Sequence, residues 1–330
     1  MCKRNALALC AVSIVTLAGC TGKTGHKSNE KYYLISANTK LPYWQAAASG
    51  LYKAAKELDV TAELAGPDTY DAQAEQTAFQ TAVAKNPAGL LVSAADPNLM
   101  KADIDAAIAK GIPVITIDSD TPASKRLVFI GTNNRQAGTM SAQRAVKELN
   151  GRGNVAIYSI PGQANLDERL RGAKDVFAES AGIKIVETVD MKGDPRVAFD
   201  RTSDIIDKGK LKPDAFVCLE AISCKEVADV LDRKKLSGKV IVAMDTDQGT
   251  IDWIKKGMIA ATIGQKPYTM AYYGLKMLGE LALNKPATLD RAWAQDAQSP
   301  LPGFIDTGAT LIDKSNVDAF ISARDSSNTR

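Results

Sequence analysis

The sequence predicts an α/β fold with two Rossmann-like, doubly wound lobes, and three observations support this prediction. Short apolar runs alternate with helical patterns from residue 31 onwards. These apolar runs fall into two series of similar length, which indicates two sheets. This part of the chain, about 300 residues, also exceeds what one hydrophobic core usually serves, so two domains are expected.

The predicted strands are short and solidly apolar. The first series comprises residues 32–36, 61–65, 89–93, 113–118 and 128–131, and the second comprises residues 154–160, 184–189, 215–219, 240–244 and 260–263. Strands without a polar face are buried on both sides, which is typical of parallel sheets covered by helices. Right-handed crossovers between such strands make each lobe doubly wound.

Helical patterns fill the segments between most of these strands. Residues 44–58 and 223–234 are clear examples. In the second segment Val227, Val230 and Leu231 recur at helical spacing, while charged residues occupy the other positions. Such a helix is expected to bury one apolar stripe against a sheet.

Residues 1–19 are predicted to be a signal peptide. A short basic start precedes an apolar run over residues 6–18, which is too short to span a bilayer comfortably. The run ends in Leu-Ala-Gly-Cys20, which resembles the lipobox of bacterial lipoproteins and implies that Cys20 carries lipid. The alternative is a plain secretory signal that is cleaved nearby. Residues 20–30 are rich in small and polar residues and are predicted to form a flexible, lipidated tether.

Charge and cysteine content exclude some classes of function. The net charge of +3 falls by two when Lys3 and Arg4 leave with the signal, so the chain offers no basic field for nucleic acid. After export and lipidation, two of the five cysteines are left, Cys218 and Cys224. These two can form a disulfide in an exported protein. However, one lies in a predicted strand and the other in the helix that follows, which usually separates the sulfurs, so two buried free thiols are expected.

Polar side chains gather just past the predicted strands. Ligands of doubly wound sheets bind beyond the carboxyl ends of the strands, so these positions are candidates for a binding site. They carry acids, amides, an arginine and two aromatic residues, which suit a neutral, hydroxyl-rich molecule. The positions are residues 38–44, 93–96, 118–120, 133, 163–169, 194, 220, 245 and 265.

A series of short motifs resembles the ribose-type periplasmic sugar-binding proteins. The motifs are PYW, GIPVITIDSD, IGTNN, ERLRG, PDAFVCLEA, VIVAMDTD and AATIGQKP, and they occur in the family's order. The resemblance implies a type I periplasmic binding protein, in which a three-strand hinge joins the lobes and the ligand lies in the cleft between them. It predicts a hinge at Thr132, Asn133 and Gln265. The predicted lobes are residues 31–132 with 266–305, and residues 133–265 with 306–330.

The same resemblance implies which residues bind the ligand. Tyr43 and Trp44 are expected to stack on the apolar face of a sugar ring, with a core-packed pair as the alternative. Asp118 is expected to accept hydrogen bonds from adjacent hydroxyls. Arg169 is expected to donate to a ring oxygen and a hydroxyl, with a surface helix arginine as the alternative. Further contacts are expected at Asp120, Asp194, Glu220, Asp245 and Gln265.

Departures from the ribose pattern leave the identity of the sugar open. Leu41 stands where the pattern has an asparagine, and Ser119 stands where it has an arginine. Asp120 can bind ligand or cap a turn. The stretch DSDTP is also similar to rhamnose and autoinducer-2 receptors, which share the two-lobe fold.

The resemblance implies a monomeric receptor, without cofactor or metal, in the periplasm or at the cell surface. Such a receptor passes a monosaccharide to the membrane permease of an ABC importer, or serves a sugar chemoreceptor as the alternative. An enzyme is disfavoured because the single histidine, His26, lies in the tether, and because the nucleophile-elbow and phosphate-loop motifs are absent from the sequence. A transcription regulator of this fold would carry an N-terminal helix-turn-helix where this chain has a signal peptide.

Overall fold

The computed structural model describes residues 25–291, 293 and 296–328. Its strands are β1 Lys31–Ile35, β2 Thr61–Ala65, β3 Gly89–Val92, β4 Val114–Ile117, β5 Phe129–Gly131, β6 Arg152–Ser159, β7 Gly182–Asp190, β8 Ala215–Cys218, β9 Val240–Met244, β10 Ala261–Gly264, β11 Phe304–Asp306 and β12 Thr310–Ile312. Its helices are α1 Pro42–Leu58, α2 Ala72–Ala84, α3 Pro97–Ala109, α4 Asn134–Glu148, α5 Ala164–Glu179, α6 Pro195–Lys208, α7 Ser223–Arg233, α8 Gln248–Lys256, α9 Pro267–Leu283 and α10 Val317–Asn328. The signal peptide and Cys20 lie outside the described residues.

Two six-stranded sheets organise the chain. The first has the order β11-β5-β4-β3-β1-β2 with parallel neighbours throughout, and the second has the order β12-β10-β9-β8-β6-β7 with one antiparallel pair, β10 and β12. The central strands β3, β4 and β8 are buried along their whole length, as expected for sheets covered on both faces. The predicted fold class, two doubly wound α/β lobes, is confirmed.

The chain passes between the two sheets three times. The passages run from β5 to α4, from β10 to α9, and from β11 to β12. Thr132 and Asn133 lie in the first passage and Gln265 lies in the second. The first and third passages are joined by hydrogen bonds, because the backbone N–H of Asn133 donates to Asp306 Oδ1 at 3.1 Å and that of Thr307 donates to the Gly131 carbonyl at 2.8 Å.

Helix α9 belongs to the first lobe although it follows the last parallel strand of the second sheet. Its side chains Met270, Leu275 and Leu278 lie in the same buried cluster as Leu34 and Leu90 of the first sheet. The second lobe buries a cluster on each face of its sheet, one beneath α6, α7 and α8 and one beneath α4 and α5. Each lobe therefore has its own hydrophobic core.

Helix termini close to the sheet edges are fixed by side-chain caps. Asp96 accepts the N–H groups of Asn98 and Leu99 at the start of α3, and Asp247 accepts those of Gly249 and Thr250 at the start of α8. These caps hold the loops that follow β3 and β9 in one conformation. Both loops adjoin the cleft described below.

The prediction of free thiols at Cys218 and Cys224 is wrong, because the two residues form a disulfide. Cys218 is the last residue of β8, and a tight turn folds the start of α7 back over the strand end. The two Cα atoms are therefore only 5.8 Å apart, which is within the usual range for a disulfide. The prediction of free thiols assumed that the helix leads away from the strand immediately after it ends. The turn instead brings the two cysteines together.

The segment just before β1 contacts the first lobe. His26 Nδ1 and Glu30 Oε2 are 2.8 Å apart, and the Tyr32 hydroxyl donates to the same carboxylate oxygen at 3.0 Å. The His26 ring is buried beside Gly279 of α9. The last residues of the predicted tether are thus held against this lobe. Within the described ranges, no helix is both long and apolar enough to cross a membrane.

Candidate functional site: a cleft between the lobes

A cavity of about 80 Å³ lies between the carboxyl edges of the two sheets. A single water occupies about 10–15 Å³ on this measure, so the cavity suits a small molecule rather than a polymer. Its walls come from both lobes. The lining residues are Ala37, Asn38, Leu41, Tyr43, Trp44, Tyr70, Ser93, Ala95, Asp118, Ile160, Gln163, Asn165, Leu166, Arg169, Gly193, Glu220, Ala221, Ile222, Asp245 and Gln265.

Two aspartates occupy corresponding places in the two lobes. Asp118 directly follows β4 and Asp245 directly follows β9, and these strands hold the same position in their sheets. Both residues have left-handed backbones, with φ of 62° and 66°. This conformation is unfavourable for residues other than glycine, although Asp and Asn tolerate it best. Strained backbone of this kind is typical of functional positions, and here it turns both carboxylates into the cleft.

Asp118 is the acceptor at the centre of the cleft. Its Oδ1 accepts the Tyr43 hydroxyl at 2.6 Å, and its Oδ2 accepts Ser93 Oγ and Asn165 Nδ2, both at 3.2 Å. Burial raises the pKa of this carboxyl, while Arg169 and the donors from Tyr43 and Ser93 oppose the rise. This carboxylate at the end of a buried strand is thus held by three donors.

Tyr43 and Trp44 form an aromatic wall at the start of α1. Their ring centroids are 5.2 Å apart with the planes at 79°, an edge-to-face pair. Pro42 at the start of the helix and the buried position of Trp44 fix this geometry. Burial and the nearby Asp118 raise the pKa of the Tyr43 hydroxyl well above its ordinary value, so the hydroxyl keeps its proton.

Arg169 is a buried cleft residue and not a surface arginine, with 2% of its surface exposed. Nε donates to Asn134 Oδ1 at 2.8 Å, Nη1 to the Leu219 carbonyl at 2.8 Å, and Nη2 to Gln265 Oε1 at 2.7 Å. Helices α4 and α5 cross so closely that a Cβ on Gly138 would overlap the backbone of Arg169. This glycine therefore lets the arginine reach Asn134.

Gln265 links the arginine to the second aspartate. Its Nε2 donates to Asp245 Oδ1 at 2.9 Å, while its Oε1 accepts from Arg169. Burial raises the pKa of Asp245 to about 7, against the opposing effects of Arg169 and the Gln265 hydrogen bond. Because Gln265 lies in the second passage between the lobes, the network joins the cleft to a hinge segment.

Glu220 is fixed within its own turn. Its Oε2 accepts the Ile222 N–H at 2.6 Å, and its Oε1 accepts the Ser223 hydroxyl. Burial raises the pKa of this carboxyl, while the donors from Ser223 and Ile222 and the charge of Arg169 oppose the rise. The Cys218–Cys224 disulfide links the two ends of this turn, with Glu220 between them. It therefore restricts the backbone that carries Glu220.

The two lobes contact each other across the cleft. Asn165 of the second lobe donates to Asp118 of the first, and the Tyr70 hydroxyl of the first lobe donates to Gln163 Oε1 at 3.4 Å. Gly193 packs against the Tyr70 ring so closely that an added Cβ would lie less than 3.0 Å from ring atoms. Its φ of +73° also favours glycine. The structure therefore corresponds to a closed arrangement of the lobes.

Seven of the nine predicted ligand residues line the cavity, namely Tyr43, Trp44, Asp118, Arg169, Glu220, Asp245 and Gln265. Asp120 lies outside it, where both carboxylate oxygens pair with Arg126 at 2.6–2.7 Å and one also accepts the Thr121 N–H. Asp194 lies outside it as well, capping α6 and pairing with Arg196. The contacts of Asp120 match the turn-capping alternative.

Five polar residues that line the cavity were not predicted as ligand residues. Asn38, Ser93, Gln163 and Asn165 fall inside candidate loop positions, but nothing in the sequence distinguished them from their neighbours. Tyr70 lies beyond the carboxyl end of β2, and applying the strand-end rule to that strand would have found it. No group of side chains suited to hold a metal ion occurs among the residues that the structure describes.

The chain is similar to known binding proteins over most of its length. Residues 32–286 match the family model of a periplasmic binding protein domain. The ribose import binding protein of Bacillus subtilis is 21% identical over 296 residues, which cover 85% of this chain and 91% of that protein.

Solved structures give the same picture. The sugar-binding protein of a sugar ABC transporter from Bacillus halodurans is 33% identical, with a TM-score of 0.77, and the match covers 88% of this chain and all of that one. A carbohydrate transporter solute-binding protein from Agrobacterium radiobacter, solved with D-arabinose, is 26% identical with a TM-score of 0.80, over 90% and 99% of the two chains. The resemblance found in the sequence is confirmed, and the chain belongs to the periplasmic binding protein family, whose members described here are sugar-binding proteins of transporters.

Proposed function

We propose that this protein is an extracytoplasmic receptor that binds one monosaccharide in the interlobe cleft and delivers it to an ABC importer. The observation that carries the proposal is a cavity between the lobes in which aromatic rings, carboxylates, amides and one guanidinium converge from both sides. Sugars present both apolar C–H faces and directional hydroxyls, and this combination of side chains matches both.

The aromatic wall is proposed to bind the face of the sugar ring. Tyr43 and Trp44 line one side of the cavity, and their edge-to-face packing holds both rings without the ligand. The C–H groups of a pyranose or furanose are slightly positive, so they favour the negative face of an aromatic ring. A tightly packed ring wall also keeps water away from the apolar face of the sugar.

The polar groups are proposed to read the hydroxyls. Asp118 and Asp245 face the cavity from opposite lobes and accept hydrogen bonds, and a charged acceptor strengthens each bond. Arg169 uses three of its five N–H groups within the protein, which leaves two as donors for a ligand oxygen. Because these groups come from different lobes, a bound sugar would hold the lobes together.

A receptor rather than an enzyme is proposed for this cleft. The lone histidine of the sequence lies outside it, so the cleft offers no imidazole base. Asp118 and Glu220 are held by fixed donors within the protein. A receptor should return a candidate sugar chemically unchanged after incubation.

The proposals on export, lipid anchoring and oligomeric state rest on the sequence. We propose that residues 1–19 are removed, that Cys20 is lipidated, and that the receptor works as a monomer at the membrane with a permease partner. A Cys20→Ser chain should lose lipid labelling and leave the membrane fraction. Retention of this variant on the membrane would contradict lipidation.

A thermal-shift screen tests the proposed function. A ligand that binds only the folded state raises the melting temperature, by an amount that grows with its concentration above Kd. We expect at least one member of a panel of pentoses, hexoses, deoxy sugars and polyols to raise it, and Asp118→Asn to reduce that rise. Absence of a shift with every sugar would contradict the proposal. The related proteins described above carry ribose and arabinose in their names or complexes, so pentoses come first in the panel.

A further inference from the structure

The cleft contains more buried acid than base. Asp118, Glu220 and Asp245 line it, and Arg169 is the one cationic side chain among its described lining residues. A fourth buried carboxyl, Glu75, accepts the N–H of the lining residue Ala95 at 2.9 Å. Burial raises the pKa of Glu75, and the charge of Asp118 adds to the rise. Glu75 therefore interacts electrostatically with an acid that lines the cleft.

The arginine does not form an ion pair with any of these acids. Its three hydrogen bonds go to an amide oxygen of Asn134, a backbone carbonyl and the Gln265 amide. Among the ion pairs of the described residues, none includes Asp118, Glu220 or Asp245. Buried charges are normally paired, because removing a charge from water is unfavourable without a partner.

A partly buried acid just outside the cleft shows the contrast. Asp120 lies two residues after Asp118 on the same turn, and the chain provides Arg126 to pair with both of its oxygens. Inside the cleft, Arg169 acts on Asp118, Glu220 and Asp245 through its charge, but no ion pair among the described residues includes any of the three. One guanidinium cannot offset three carboxylates, so the remaining negative charge is balanced by protons or by a cationic group that enters with the ligand.

Among the three acids that line the cavity, Asp245 is the one with an open acceptor. Its Oδ1 accepts from Gln265, whereas Oδ2 has no hydrogen-bond donor among the described residues. The side chain is only 7% exposed and faces the cavity. Asp118 and Glu220, in contrast, each have a donor on both oxygens. Tyr43, Trp44 and Tyr70 also line the cavity, and aromatic rings attract cations that lie over their faces.

From this arrangement we infer that the preferred ligand is an amino sugar, a small polyhydroxy ring carrying one protonated amine that binds Asp245. This inference rests on the proposed function and narrows its class of ligand. The amine would donate to Asp245 Oδ2 and reduce the excess negative charge of the cleft, and the ring hydroxyls would use Asp118 and Arg169 as proposed above.

The test is calorimetric titration of the mature full chain with matched pairs of sugars. The probes are 2-amino, 3-amino and 4-amino pyranoses and the pyranoses that carry a hydroxyl at the same carbon. A charge-assisted hydrogen bond exceeds a neutral one by enough to lower Kd about 10-fold. We expect at least one amine to bind about 10-fold more tightly than its hydroxyl counterpart.

Two variants assign the preference to the cleft. Asp245→Asn removes the charge but keeps a side chain that tolerates a left-handed backbone, and it should abolish the preference for the amine. Asp175→Asn makes the same chemical change on the exposed face of α5, where the carboxylate pairs with Arg135, and it should leave the preference intact.

The possible results separate this inference from the proposed function. If neutral sugars bind and no amino sugar binds more tightly than its hydroxyl counterpart, the amino-sugar inference is overturned. The proposed function as a sugar receptor is then unaffected. A preference that persists in Asp245→Asn also overturns it. If no sugar of either kind binds, both the inference and the proposed function fail.

Discussion

Replacement of Asp118 by asparagine is expected to weaken sugar binding while the fold stays intact. The left-handed backbone at residue 118, with φ of 62°, is tolerated by asparagine as well as by aspartate. The carboxylate accepts from Tyr43, Ser93 and Asn165, whereas an amide offers one oxygen and directs an N–H group at a former donor. A hydrogen bond to a charged group contributes about 1.5–3 kcal/mol. The loss corresponds to a rise in Kd of about 10-fold to 150-fold.

The assay is calorimetric titration with the best ligand of the thermal screen, and Asp120→Asn is the matched control. That variant makes the same change two residues away but weakens the partly buried pair with Arg126. It should lower the free energy of unfolding by about 2 kcal/mol with Kd nearly unchanged. The reasoning is refuted if Asp118→Asn binds as tightly as the parent protein, or if Asp120→Asn loses affinity and keeps its stability.

Three further predictions concern closure, pH and the disulfide. Gly193→Ala should raise Kd by obstructing the contact with Tyr70, whereas Gly209→Ala, which shares a left-handed backbone but has open space around it, should not; equal affinities by calorimetry would contradict the closure geometry. The pKa of Asp245 is about 7 in the folded protein, above its unfolded value, so the folded state binds the extra proton and stability should fall as pH rises from about 4 through 7. Melting curves should show this fall in the ligand-free protein and a smaller one in Asp245→Asn; identical pH profiles would refute it. Replacing both Cys218 and Cys224 by serine should lower the free energy of unfolding by about 2 kcal/mol in urea titrations, as expected for a short closed loop, and no change would argue against the disulfide.

The layout of the sheets was predictable because buried parallel strands leave a strong apolar signal. The two strands of the third passage, β11 and β12, carried no such signal because each spans three residues at a sheet edge. Edge strands this short depend on their partners, β5 and β10, and not on their own composition.

The cleft was predictable where a residue followed a strand directly, as Asp118 and Asp245 do. The sequence left open whether Asp120 binds ligand or caps a turn, since the decisive fact is its pairing with Arg126. The disulfide was missed for a similar reason, because the direction in which α7 leaves β8 is set by tertiary packing. Contacts between the lobes, such as Asn165 with Asp118, join residues far apart in the chain, so no local pattern reports them.

A crystal structure of the chain with its best-binding sugar would show whether the cleft is the binding site. We expect one sugar in the interlobe cavity, with its ring face on Tyr43 and Trp44 and its hydroxyls within hydrogen-bond distance of Asp118 and Arg169. A sugar bound elsewhere, or a cavity sugar that touches neither Asp118 nor Arg169, would contradict it.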